Sequence, residues 1–287
     1  MSYVNFNKKY KIKKFYSLCD KIIVLHKGMN IMIIDTHCHL NFEDFDTDIN
    51  FVLKRAIEQH ISIMIIIGTD VSSNHKAIKM AQNNPHLYAS VGIHPGSISD
   101  TENISAILPM ITHPKVVAIG ECGLDFYWKK DNKEVQIDLF IKHIELAVKF
   151  KKPLVIHTRE SFLEAYEALK PYKGQVTGVF HCFSSDLNDA QKAIDLGFYI
   201  GIDGPITYKK NEVLKEIVQA IDLKHILVET DSPYLTPHPH RGKRNEPSYL
   251  PYIIDKIAEI KGITCDEVIQ ITSSNAQQLF KLKEEKL

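Results

Sequence analysis

Histidines and carboxylates recur in this chain at the ends of short apolar runs. They stand in Asp35-Thr36-His37-Cys38-His39, Gly92-Ile93-His94-Pro95, Gly120-Glu121-Cys122-Gly123-Leu124-Asp125, Ile156-His157-Thr158-Arg159, Phe180-His181-Cys182-Phe183 and Glu229-Thr230-Asp231-Ser232-Pro233. Residues i and i+2 of an extended segment point to the same side, so His37 and His39 can face one ion. Alone, an H-x-H pair serves equally as two imidazoles satisfied within a core. Jointly the set resists that explanation. Burying several ionisable groups around one point is costly without a compensating cation, and neutral imidazoles and carboxylates are the ligands that divalent metals take. Four His and two carboxylates suit two ions better than one. Two ions about 3.5 to 4 Å apart can share a water, lower its pKa and stabilise an oxyanion or phosphoryl oxygen, which is hydrolytic chemistry. Glu121, central in strand order, is the carboxylate expected between them. Asp231 can bind one ion and take the proton from the attacking water.

A second constellation is basic. Thr236-Pro237-His238-Pro239-His240-Arg241-Gly242-Lys243-Arg244-Asn245-Glu246-Pro247 follows Asp231, and a proline-stiffened cluster of Arg, Lys and His beside a hydrolytic mouth suits phosphate oxygens. Arg159, two residues after His157, can bind phosphate through its guanidinium fork. Phe126, Tyr127 and Trp128 either stack on a base or pack on the rim. Cys38, Cys122 and Cys182 alternate with the proposed ligands and are expected to pack on the opposite side of their strands. His26, His60, His75, His86, His113, His143 and His225 lie outside these runs and are expected at the surface.

The elements that must position these groups alternate. Strands are predicted near 31–35, 62–68, 87–92, 116–120, 154–157, 177–181, 198–202 and 226–230. The helix after the first strand has Asp46 as its predicted N-cap and a stripe of Ile49, Val52, Leu53, Ala56 and Ile57, and Ile137, Phe140, Ile141 and Ile144 mark the helix after the fourth. Further helices are predicted over 72–83, 101–111, 160–170, 186–196, 210–221, 248–261 and 265–280. Eight strand–helix units imply parallel strands with right-handed crossovers and the count that closes an α/β (β/α)8 TIM barrel, whose chemistry gathers at the carboxyl ends of the strands. An open doubly wound sheet fits less well, because no G-x-G-x-x-G turn follows a strand.

At 287 residues, 44 % hydrophobic and 24 % charged, the chain can bury a large single core. Lys plus Arg and Asp plus Glu both number 35, so no global field draws polyanions or membranes, which argues against an architectural DNA binder. Five cysteines without C-x-x-C spacing make neither a disulfide framework nor a thiolate zinc site, and they suit a reducing cytoplasm. No apolar run approaches the roughly 18 residues of a membrane span. Residues 1–30 are lysine-rich and precede Met32; they read as a basic N-terminal extension outside the fold, with 31–287 the hydrolase domain.

Taken together, DTHCHL, GIHP, GECGLDFYW, VIHTRES, FHCFS and ETDSPYLTPHPHRGKRNEP, over about 32–280, resemble the TatD family of metal-dependent deoxyribonucleases, a branch of the amidohydrolase-like barrels. The resemblance implies a (β/α)8 barrel, two divalent ions (Mg²⁺, Mn²⁺ or Zn²⁺) and hydrolysis of DNA phosphodiester bonds, often from the 3′ end of single strands. By motif position it implies metal binding by His37, His39, Glu121, His157, His181 and Asp231, and contacts around the scissile phosphate from His94, Arg159, His240 and Arg241. The chain departs from the family pattern at Gly96, where another His is common, and at Ser185, where the family has Gly.

The leading expectation is a cytoplasmic, two-metal phosphodiesterase acting on single-stranded or frayed DNA, with no membrane partner and a monomer as the default state. A deacylase or amidohydrolase using the same centre on a C–N or ester bond is the nearest rival. A nucleic-acid-binding protein without turnover, using the lysine-rich arm, is the rival from another class.

Overall fold

The computed structural model describes residues 32–128 and 130–282, with the side chains of 98–103 excepted. The basic extension therefore lies outside the described residues. Eight parallel strands follow one another in sequence order around a nearly closed barrel: β1 (Ile33–Cys38), β2 (Ile61–Ile67), β3 (Leu87–Val91), β4 (Val116–Asp125), β5 (Leu154–Arg159), β6 (Gly178–Phe180), β7 (Phe198–Ile202) and β8 (Ile226–Val228). Helices α1 (Ile49–Glu58), α2 (Val71–Gln82), α3 (Leu108–Ile111), α4 (Lys133–Phe150), α5 (Phe162–Leu169), α6 (Leu187–Asp195), α7 (Glu212–Ala220), α8 (Leu250–Lys261) and α9 (Cys265–Phe280) lie between and after them. The chain is thus a single-domain (β/α)8 barrel.

Strands covered on both faces read as near-continuous apolar runs, and β2, Ile-Ser-Ile-Met-Ile-Ile-Ile, is such a run. Ile66, Met64, Ile119, Ile156, Phe180 and Ile200 join the helices in the outer core, whereas Ile34, Ile65, Val155, Val179 and Leu227 fill the interior. Helix α9 supplies the floor. Leu279, Phe280 and Leu282 pack into that interior cluster, while Asn275 donates to the carbonyls of Leu223 and Ile226 and Ser273 donates to that of Met32, at the amino ends of β8 and β1. Beyond the short β8, the Asp231 N–H donates to His37 O at 2.9 Å and the His39 N–H to Ser232 O at 2.7 Å, which closes the last seam at the opposite end.

Helix boundaries follow local chemistry. Capping boxes start α2 (Asp70 with Ser73) and α9 (Thr264 with Glu267), and Gly262 in the left-handed region ends α8. Two sequence expectations need correction. The residue before α1 is Asp48, with no side-chain cap, because its carboxylate is taken by Arg244 and Arg55; Asp46 instead pairs with Lys76. Between 101 and 111 most of the chain is the end of a 3₁₀ helix, Pro95–Ile107, and only Leu108–Ile111 is α-helical. Among the described residues no helix is long and apolar enough to cross a membrane.

Candidate metal centre

All six proposed ligands converge at the carboxyl ends of the strands. His37 lies in β1 and His39 just beyond it, Glu121 in β4 and His157 in β5. His181 and Asp231 follow β6 and β8. Glu121 is the hub. Its Oε2 is 3.6 Å from both His37 Nε2 and His39 Nε2, while its Oε1 is 2.9 Å from His181 Nε2 and 3.0 Å from His157 Nδ1. Asp231 Oδ1 completes the first side, 3.5 Å from His37 Nε2 and 3.3 Å from His39 Nε2.

These distances test whether the donors fit an ion. With metal–ligand bonds near 2.05 Å, tetrahedral ligands stand about 3.3 Å apart. The two imidazole nitrogens of His37 and His39 face each other at 3.2 Å, as do His157 Nδ1 and His181 Nε2. On the first side the distances of His37 and His39 to each other, to Glu121 and to Asp231 run from 3.2 to 3.6 Å, close to the edge length of such a tetrahedron. Glu121, His157 and His181 form a second donor group on the other carboxylate oxygen.

Tautomers separate the ring roles. His157 Nε2 faces Asp125 Oδ2 at 3.2 Å, so it carries the proton and leaves the Nδ1 lone pair for the centre. His94 is the reverse case. Its Nδ1 accepts from the Gly96 N–H at 2.9 Å, so its protonated Nε2 is the edge turned to Glu121 Oε1, 3.5 Å away. His94 falls in one donor group with Glu121 and His157, yet that N–H suits an anionic oxygen better than a cation. A Cβ at Gly96 would sit 2.9 Å from His94 Nδ1, so the departure from the family pattern at this position leaves the ring its place.

The charge states suit cation binding. Burial, with the neighbouring His181, pushes His37 down to about 4. Burial opposes ionisation of Glu121, but His181, His94 and His157 outweigh it and hold the carboxyl well below its usual range. Burial likewise opposes the charge on Asp231, and His39 and His37 reverse the effect. For His157, bonds to Asp125 and Glu121 overcome burial and raise it to about 9, so a cation there displaces a proton.

The other proposed residues stand outside the donor groups. The Arg159 guanidinium lies over the Tyr127 ring at 4.2 Å and Trp128 at 5.4 Å. Arg241 lies over Tyr208 at 3.8 Å, and His240 stacks on Tyr249 at 4.3 Å. Arg244, grouped with the basic loop in the sequence, is committed to Asp48 by two bonds of 2.9 and 2.7 Å. His143 is buried rather than at the surface: it accepts from the Ile93 N–H at 3.1 Å and its other nitrogen meets Leu139 O, which fixes the segment leading into His94. Cys38 and Cys122 pack in the outer core as expected. Cys182 differs. It is half-buried and groups with Asp203 and Asp231 at the mouth.

Further buried carboxylates, given no role from the sequence, stand around the centre. Asp125 binds His157 and also accepts from the Tyr127 and Trp128 N–H groups. Burial raises Asp203, after β7, to about 8, and raises Glu229, which accepts from the Cys182 N–H, well above its usual value. The strand-end rule that found Glu121 and Asp231 applies equally to Asp125 and Asp203, each at or just beyond a strand's end. Gly123 serves the same geometry: with φ +131° and a Cβ position 2.1 Å from His157 O, only glycine lets β4 run this close to β5.

A barrel with convergent His and carboxylate donors at its carboxyl mouth defines a metal-dependent hydrolase. The family model of TatD related DNase matches residues 34–281. The metal-dependent hydrolase YabD of Bacillus subtilis is 39 % identical over 254 residues, covering 88 % of this chain and all of that protein. The 3′-5′ ssDNA/RNA exonuclease TatD of Salmonella typhimurium is 32 % identical over 259 residues, covering 87 % and 99 %. The structure of the TatD homolog YjjV from Escherichia coli superposes with a TM-score of 0.81 at 28 % identity, over 89 % of this chain and all of that one. The chain belongs to the TatD family of metal-dependent hydrolases.

Proposed function

We propose that the protein hydrolyses DNA phosphodiester bonds, as a 3′-5′ exonuclease on single strands, with His37, His39, Glu121, His157, His181 and Asp231 holding two divalent ions. The observation that carries this reading is Glu121, whose two carboxylate oxygens face two separate donor groups 2.9 to 3.6 Å away. Two divalent ions held there would act as Lewis acids toward a phosphoryl oxygen and lower the pKa of water. Glu121, with 4 % of its side chain exposed, fixes the spacing of the two groups, while Asp231, the more exposed of the two at 12 %, takes the proton. The His94 Nε2–H donates to a non-bridging phosphate oxygen. Arg159, His240 and Arg241 contribute positive or polar edges along the strand. The named exonuclease relative supports nucleic acid as the substrate class.

The test is cleavage of 3′- or 5′-labelled single-stranded oligonucleotides with Mg²⁺, Mn²⁺ or Zn²⁺, beside a panel of N-acyl and ester substrates. The expected result is stepwise loss from the 3′ end, abolished in Glu121→Ala and Asp231→Ala. Turnover of the acyl panel with intact oligonucleotides would overturn the reading in favour of an amidohydrolase, and full activity of either variant would overturn the roles.

A further inference from the structure

Trp128, the single tryptophan of the chain, is 68 % exposed, and its neighbour Tyr127 is 43 % exposed. Large apolar rings left in water call for a reason, and these two are not loose. Their rings meet edge to face at 4.8 Å, and the Arg159 guanidinium lies over both. Their backbone N–H groups both bond to Asp125 Oδ1, at 3.0 and 2.9 Å, while Asp125 Oδ2 faces His157 Nε2 at 3.2 Å. One carboxylate therefore fixes the aromatic pair and a ring of the metal centre together. Beside the pair, a cavity of about 480 Å³ opens between the ends of β4, β5 and β6, walled by Tyr127, Thr158, Arg159, Glu160, Glu164 and Ser184. That is room for a small organic ligand. Its glutamates repel phosphate and accept from amino groups, whereas Arg159 attracts phosphate.

We infer that Tyr127 and Trp128 form a stacking subsite for one unpaired nucleobase of a nucleic-acid strand whose phosphate lies toward Arg159 and the Glu121 centre. The inference rests on the phosphodiesterase reading above and deepens it. It assigns the substrate as single-stranded at this position, because a base inside a duplex offers no free face. Base–aromatic stacking is tolerant of sequence, since every base has a π face.

The lone indole supplies the readout. Metal-loaded protein is titrated with a short phosphorothioate oligothymidylate, and with the same backbone carrying tetrahydrofuran abasic sites, while fluorescence is excited at the red edge of the indole band. The expected result is quenching by the base-bearing strand and little or none by the abasic one. In Trp128→Ala, anisotropy of a labelled oligothymidylate should report binding weaker by roughly 5- to 150-fold, the range for one lost stack, with partial recovery in Trp128→Phe. Equal quenching by both strands, no quenching, or unchanged affinity in Trp128→Ala would overturn the subsite. Hydrolysis of bis(p-nitrophenyl) phosphate by the wild-type protein separates the two failures. Turnover of that ester without base-dependent quenching sinks the subsite alone, and absence of turnover on both it and oligonucleotides sinks the phosphodiesterase reading with it.

Discussion

Asp125 illustrates how a single side chain ties the site together. A carboxylate behind a metal-binding imidazole fixes its tautomer and raises its basicity, and loss of such a partner weakens metal affinity by roughly 10- to 100-fold. Asp125→Asn keeps an oxygen for the Tyr127 and Trp128 N–H groups but removes the charge facing His157. Titration with Mn²⁺ should show weakening of that order, with the fold intact by circular dichroism; unchanged affinity would contradict the role. His143 yields a prediction in pH. Burial pushes this histidine down to about 4, and its Nε2 can accept from Ile93 only while unprotonated. Since the folded value lies below the ordinary 6.5, the unfolded chain binds the extra proton between them. The contribution is then complete above about pH 6.5 and is lost as pH falls toward 4, by about 1.4 kcal/mol per unit and of order 3 kcal/mol in all. Urea midpoints from pH 7 to 4.5 should fall more steeply in the wild type than in His143→Gln. Parallel slopes would contradict the assignment.

At the scale of elements, the strand–helix alternation was legible because two-sided burial writes apolar runs and one-sided burial writes helical stripes. The strand-end position of His37, Glu121, His157, His181 and Asp231 followed directly from those runs. What the pattern hid were matters of tertiary partnership. The sequence points to Asp46 as the cap of α1, whereas Asp48 holds that position with its carboxylate drawn away by Arg55 and by Arg244, which lies far from it in the sequence. His143 lies on the helical stripe with Phe140 and Ile144, and that periodicity was the available sign that it faces inward. The role of α9 was also hidden, since a helix beyond the eighth strand has no strand of its own to cover. Its floor is testable. Phe280→Ala opens a cavity in the buried cluster that also holds Ile34 and Val155, and should lower unfolding stability by about 3–5 kcal/mol in denaturant titrations. A loss below about 1 kcal/mol would mean that the helix end does not close the barrel.

For the molecule as a whole, scaffold and chemistry sit at opposite ends: α9 closes the amino end of the barrel, and the donors gather at the carboxyl end. The equal numbers of acidic and basic residues leave recognition to local groups. Of the basic loop, Arg244 is structural, held by Asp48, and Arg241 rests on the Tyr208 ring, as Arg159 at the end of β5 rests on Tyr127. Sequence could name these cations but not their partners. The most direct test of the central claim is the number of divalent ions bound per chain at saturation, measured by equilibrium dialysis with Mn²⁺ or Zn²⁺ and elemental analysis. The account predicts two in the wild type and, because both donor groups share one carboxylate, one or none in Glu121→Ala. A wild-type chain that binds fewer than two ions, or an alanine variant that retains the full complement, would contradict it.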